Sequence, residues 1–304
     1  VTSLPEVVTA FSSAWLGKAD IAMQNMIGSN LFNLMVLVIL DFLVRKRNVL
    51  ADASPGHRPS ALIGMIMMLV VAGAALFFNL AQDHREDFGI YVRLPVGLGS
   101  VILVVIYFWA MKRIFQVGRE EQKNQPQTDK APEAGGNGKI YAVFALVSLV
   151  IVAAGYRMTV LGKIISETPM NVFGRAVVIT DNVVGMILIA IATSLPELVV
   201  TISAARMGAI NMAVGNILGS NIFNMAILGL SDGFYFHGPM LVYSGQAVIY
   251  TSLLGALLTA VALTGLGKPA RRLYLNRLGP RTLSILLLYL AGMTLLTSLG
   301  LLVN

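Results

Sequence analysis

Two stretches of this chain, 2–33 and 193–224, are copies of one another, and any fold the sequence adopts must accommodate that duplication. TSLPE begins at Thr2 and again at Thr193; GSNLFN begins at Gly28 and GSNIFN at Gly219. Both offsets are 191, and the stretches align without a gap at about half identity, including Ser12 with Ser203, Gly17 with Gly208 and Asn25 with Asn216. Two chance pentapeptides would not hold register with two hexapeptides, so the pattern marks an internal repeat.

The copies sit in a chain that is 56% hydrophobic and only 12% charged, about half the charge of a soluble domain. Apolar runs recur along its length: Ala61–Leu80, Leu94–Met111, Ile140–Ala154, Val183–Leu195, Ala213–Leu230, Leu253–Leu266 and Leu283–Val303. Several approach the ~20 residues that cross a bilayer as helix. The expected class is therefore an all-α polytopic membrane protein, with lipid as its surroundings. The net charge of +7 does not point to nucleic acid, because the basic residues cluster between apolar runs: Arg45, Lys46, Arg47 and Arg58; Lys112, Arg113 and Arg119; Lys268, Arg271, Arg272, Arg277 and Arg281. That is how topology distributes charge. Cysteine is absent, which excludes disulfides and thiolate metal sites.

Nine spans are expected, at 1–15, 20–44, 60–80, 90–111, 140–160, 175–205, 210–231, 241–266 and 282–303. Five steps separate the two TSLPE spans, so the copies run in opposite directions. With the basic loops 45–58, 112–139 and 267–281 on the cytoplasmic side, 82–93 and 232–240 fall outside. The chain divides into a first half (1–111), a flexible cytoplasmic linker rich in Pro, Gly, Gln and Glu (112–139) and a second half (140–304). It opens inside a motif, at Val1, which leads us to expect that a leading span is missing. Inverted repeats of this kind typify secondary transporters, whose site lies between the halves near the bilayer midplane.

The motifs carry the chemistry. Pro5 and Pro196 cannot donate to the carbonyls of Val1 and Ala192, so a helix breaks at each TSLPE and offers backbone oxygen beside hydroxyls. Thr2, Ser3 and Glu6 in one copy, and Thr193, Ser194 and Glu197 in the other, are hard oxygen ligands suited to Ca²⁺ or Na⁺. A glutamate inside a span costs ~2.5 kcal/mol or more, which marks it as functional. Ser29 with Asn33, and Ser220 with Asn224, are spaced i, i+4 and share helix faces that must look into the bundle. Gly28 and Gly219 should let helices approach closely there. Asn30 and Asn221 read as helix–helix hydrogen bonds, Asp181 as an N-cap or entry charge, and Arg175 as a snorkelling interface residue. His57, His84 and His237 all fall in loops, so no general base reaches membrane depth, and no phosphate-cradling loop is present. The chain does not read as an enzyme or as an ATP-driven pump, and nothing calls for a cofactor or an obligate protein partner.

Paired TSLPE and GSNxFN motifs in inverted halves resemble the calcium/cation antiporter superfamily, in the compact bacterial form of the sodium/calcium exchanger. The resemblance covers nearly the whole chain. It implies two inverted repeats of about five transmembrane helices each, ten in the family with the first absent here, and broken helices at the TSLPE motifs. It also implies the ligand set Thr2, Ser3, Glu6, Ser29 and Asn33 with Thr193, Ser194, Glu197, Ser220 and Asn224, and a carbonyl from Ala190. The implied activity is exchange of Ca²⁺ for Na⁺ across the cell membrane by alternating access. A proton-coupled divalent exchanger is the alternative, and a cation channel stands behind it. Three departures stand out: Val1 and Ala192 replace the family's glycine, Asn33 and Asn224 stand where some exchangers carry Asp, and Gln24 replaces the glycine found at Gly215.

Overall fold

A computed structural model describes residues 2–44, 48–80, 96–123, 138–172, 175–268, 273–274 and 278–299. In chain order the helices are α1 (Leu4–Trp15), α2 (Ala19–Leu43), α3 (Arg58–Leu80), α4 (Leu98–Lys123), α5 (Gly138–Glu167), α6 (Asp181–Thr193), α7 (Leu195–Arg206), α8 (Ile210–Ser231), α9 (Gln246–Gly265) and α10 (Pro280–Ser298). Among the described residues six helices are long and apolar enough to cross a membrane, and α6 with α7 forms a further crossing bent by 44°. All nine expected spans are represented by helix, and the protein is an integral membrane protein with inverted halves.

Some boundaries differ from the sequence reading. The fourth span begins at Leu98 and continues to Lys123, well into the stretch read as linker; residues 124–137 of that stretch lie outside the described residues. The sixth span begins at Asp181, because Met170–Val172 and Arg175–Val177 pair first as a short antiparallel hairpin. The side chain of Arg175 lies outside the described set, as does all of His84. Thr180 caps α6 by accepting from the Val183 N–H, which puts Asp181 at the first helical position. There it meets Lys18, whose Nζ reaches Asp181 at 3.3 Å and Glu167 at 3.1 Å. Partial burial alone would lower the Lys18 pKa; hydrogen bonding to Glu167 and the Asp181 charge outweigh it, so the ammonium titrates above its usual range.

The core is built on α2 and α8, whose central turns are buried on almost every side. Around them α3 packs on α9, and α4 packs on α8. In contrast α5 rests on α1 and α6 and turns Val143, Leu146 and Leu149 outward, as a lipid-facing helix must.

Inversion is visible in three pairs of hydrogen bonds related by the repeat. Asp20 accepts from the Gly245 N–H, and Asn211, its counterpart 191 residues on, accepts from the Ser54 N–H. Asp41 accepts from Val49 N–H, while Asp232 accepts from Met240 N–H. Asp41 also takes the N–H of Gly279, which caps α10, and Asp232 takes the N–H of Gly97, just ahead of α4. In this last pair each carboxylate, fully buried, pins the final helix of the opposite half. The two pins lie at opposite ends of the bundle. Arg58 donating to Leu266 O and Gly267 N–H donating to Leu50 O join the basic loops at the Asp41 end. Lys18, Asp20, Asp181 and Asp232 gather at the other.

Candidate cation site

Each TSLPE motif folds the same way. Ser3 and Ser194 stand at the N-cap of α1 and α7, the prolines occupy the first turn, and Glu6 and Glu197 follow within that turn. Proline suits this position because its missing N–H has no helical partner to lose. Ser194 also ends α6, so the break falls at the motif. Over Val184–Ile189 the helix α6 is π-wound, a local widening often found at functional sites and one the sequence did not announce.

The two motifs meet across the repeat boundary. Ser3 Oγ donates to Glu197 Oε1 at 2.8 Å, and Ser194 Oγ donates to Glu6 Oε1 at 3.1 Å. The exchange is reciprocal, serine of one copy to glutamate of the other. Thr2 stands beside the Glu197 carboxylate and Thr193 beside that of Glu6, and the glutamates are near enough to repel one another. Glu6 is 1% exposed and Glu197 2%. Each keeps a second oxygen, Oε2, that is buried and has no hydrogen-bond partner among the described residues. A buried, unpaired carboxylate oxygen is costly, and a bound cation is what such oxygens suit.

Helices α2 and α8 supply the walls. Asn25, Ser29 and Asn33 form one ladder at i, i+4, i+8; Asn216, Ser220 and Asn224 form its counterpart. Thr193 Oγ1 donates to Asn25 Oδ1 at 3.4 Å, tying the break of α6 to α2. Ser29 Oγ and Asn224 Oδ1 are, like the glutamate oxygens, buried without a partner among the described residues. The donor set therefore contains two carboxylates plus hydroxyl and amide oxygens, and no group of three His, Cys, Asp or Glu placed to hold a metal ion occurs among the described residues. This is chemistry for a hard cation and not for a transition metal.

Other expectations fare differently. Asn30 and Asn221 do bond across the helices, as anticipated. The carbonyl of Ala190 is engaged, accepting from Ser194 N–H at 3.0 Å and Thr193 Oγ1 at 3.2 Å. Gly28 lets α6 approach so closely that a Cβ there would collide with Met186 O, and a Cβ on Gly185 would lie 2.7 Å from Ile21 O. Gly219, expected to act likewise, has nothing within 4 Å among the described residues. Gly28→Ala is accordingly expected to cost about 1–3 kcal/mol by overpacking, as read from thermal unfolding midpoints.

The sequence matches the family model described as "Sodium/calcium exchanger protein" over residues 1–116 and 139–300. The chain belongs to that family. Among curated relatives of this family member, the inner membrane protein YrbG of Escherichia coli K12 is 31% identical over 230 residues, 75% of this chain and 65% of its own length. The sodium/calcium exchanger MaX1 of Methanosarcina acetivorans is 28% identical over 256 residues, covering 77% of this chain and 70% of MaX1. The chain thus spans about two thirds of the length of these relatives. Among solved structures, YfkE superposes with a TM-score of 0.64 at 14% identity, covering 96% of this chain and 79% of YfkE. The H⁺/Ca²⁺ exchanger CAX gives 0.61 at 14% over 96% and 70%, and the sodium–calcium exchanger NCX_Mj gives 0.53 at 20% over 96% and 83%. These likenesses establish the fold. They do not choose a coupling ion, because exchangers named for protons and for sodium share it.

Sequence reasoning passed over several polar residues of this family member. Asn25 donates to Thr9 Oγ1 at 2.6 Å and Asn216 to Thr201 Oγ1 at 2.9 Å, holding each ladder to the helix before it. Both asparagines are identical between the copies, a signal that was available. Asp41 and Asp232 also stand 191 apart, beyond the segment that was aligned.

Proposed function

We propose that the protein exchanges Ca²⁺ for Na⁺ across the cell membrane by alternating access, with the ions held between the two repeats and the 112–139 stretch on the cytoplasmic side. The reading is carried by one observation: two buried glutamates, each bonded by the serine of the opposite repeat, and each with an oxygen left over. Two unit charges 4 Å apart repel by roughly 4 kcal/mol at an effective dielectric of 20. One Ca²⁺ cancels that charge, and so do two Na⁺. A site emptied of cations is costly to seal from water, whereas a loaded one is not, and this difference makes exchange obligatory and leak rare. The ligands Thr2, Ser3, Glu6, Ser29 and Asn33, with Thr193, Ser194, Glu197, Ser220 and Asn224, would wrap the ion. A sodium gradient would then drive calcium outward.

The test is ⁴⁵Ca²⁺ uptake into sodium-loaded proteoliposomes. Saturable uptake that needs internal Na⁺ is expected. Uptake driven by a pH gradient with sodium absent would replace this reading with proton coupling, and single-channel currents would replace it with a pore.

A further inference from the structure

Four asparagines close a ring at the centre of the bundle. Asn30 Nδ2 donates to the backbone carbonyl of Asn221 at 3.1 Å, and Asn221 Nδ2 to that of Asn30 at 3.5 Å. With each nitrogen committed to a carbonyl, each Oδ1 faces the other way as an acceptor. Asn224 Nδ2 donates to Asn30 Oδ1 at 3.0 Å, and Asn33 Nδ2 donates to Asn221 Oδ1 at 3.0 Å. All four are at most 4% exposed.

An amide whose nitrogen is fixed has its oxygen fixed on the opposite side. For Asn224 that oxygen is buried and without a partner among the described residues. We infer that Asn30 and Asn221 are positioning residues for cation binding, each holding the site asparagine of the opposite repeat so that its side-chain oxygen turns toward the ion. The inference rests on the cation site proposed above. It also accounts for the amides at 33 and 224, since an ionised carboxylate there would set acceptor against acceptor.

Calcium binding to the detergent-purified protein, measured calorimetrically in sodium-free buffer, tests it through two double-mutant cycles. Asn30→Ala removes the acceptor for Asn224 but keeps the residue 30 carbonyl, so Asn221 retains its own bond. Asn30→Ala and Asn224→Ala should each weaken Ca²⁺ binding about tenfold, and the pair together by little more than tenfold. Asn30→Ala with Thr193→Ala, a site residue that bonds Asn25 and lies outside the ring, should multiply to about a hundredfold. A purely structural asparagine would couple equally to both, and that result, or full additivity in the first cycle, overturns the inference. If Asn30→Ala does not fold, Asn221→Ala with Asn33→Ala poses the same question in mirror image; failure of both clasp variants to fold assigns them a structural role and likewise overturns it. Absence of Ca²⁺ binding by the parent protein is a different outcome, and it removes the proposed function itself.

Discussion

Glutamine in place of Glu6 or Glu197 is expected to lower ⁴⁵Ca²⁺ exchange by at least about 100-fold while leaving a folded protein. The substitution keeps the side-chain volume and an oxygen that can accept from Ser194 or Ser3. What it removes is one of the two charges that balance a divalent ion in a buried setting. Losing one partner of a buried, charge-assisted contact costs roughly 3–5 kcal/mol, which corresponds to two or more orders of magnitude in binding. The near-reciprocal placement of the glutamates demands that both variants fail alike. Gel-filtration profiles matching the parent, with uptake lost, is the expected pair of results; uptake at the parental rate in either variant removes that glutamate from the site.

The second large effect is on assembly. Asp41→Ala withdraws the acceptor for Val49 N–H, Gly279 N–H, Asn48 Nδ2 and Thr282 Oγ1 at once. Stranding buried donors costs about 1–3 kcal/mol each, softened by relaxation, so a loss of about 3–5 kcal/mol and a fall of about 10 °C in the unfolding midpoint are expected. The fraction that folds should bind Ca²⁺ with parental affinity, because Asp41 lies near the end of α2, two turns beyond Asn33. A variant that melts normally would show the pin to be dispensable.

Much of this was legible in the residues. Duplicated TSLPE and GSNxFN motifs fix the inverted halves, and an apolar sequence interrupted by Pro5 and Pro196 fixes where helices break. The glutamates declare themselves because charge inside a span is expensive. Other features were hidden for physical reasons. The π-wound turns of Val184–Ile189 come from tertiary fit against α2 through Gly28 and Gly185, and a residue pattern contains no term for backbone contact between helices. The motif at Gly28 gave no sign of how tightly α6 would press on it, because close approach is a property of two surfaces and the motif specifies only one. Thr180 outranked Asp181 as a cap since both are good caps, and the hairpin ahead of them sets the register. The Asp41 and Asp232 pins were written in the sequence, but beyond the window where identity was dense enough to see.

Those pins impose an order on biosynthesis. When Asp232 leaves the ribosome, its partner Gly97 has long been made, and the bond can form at once. Asp41 must wait for Gly279, 238 residues later, which at 5–20 residues per second is roughly 10 to 50 s of translation. Throughout that interval the carboxylate is held only from its own half, by Val49 N–H and the Asn48 amide, with no bond to the other repeat. Two halves that look equivalent on paper are therefore unequal in time: the Asp232 pin finds its cross-repeat partner already made, and the Asp41 pin waits for α10.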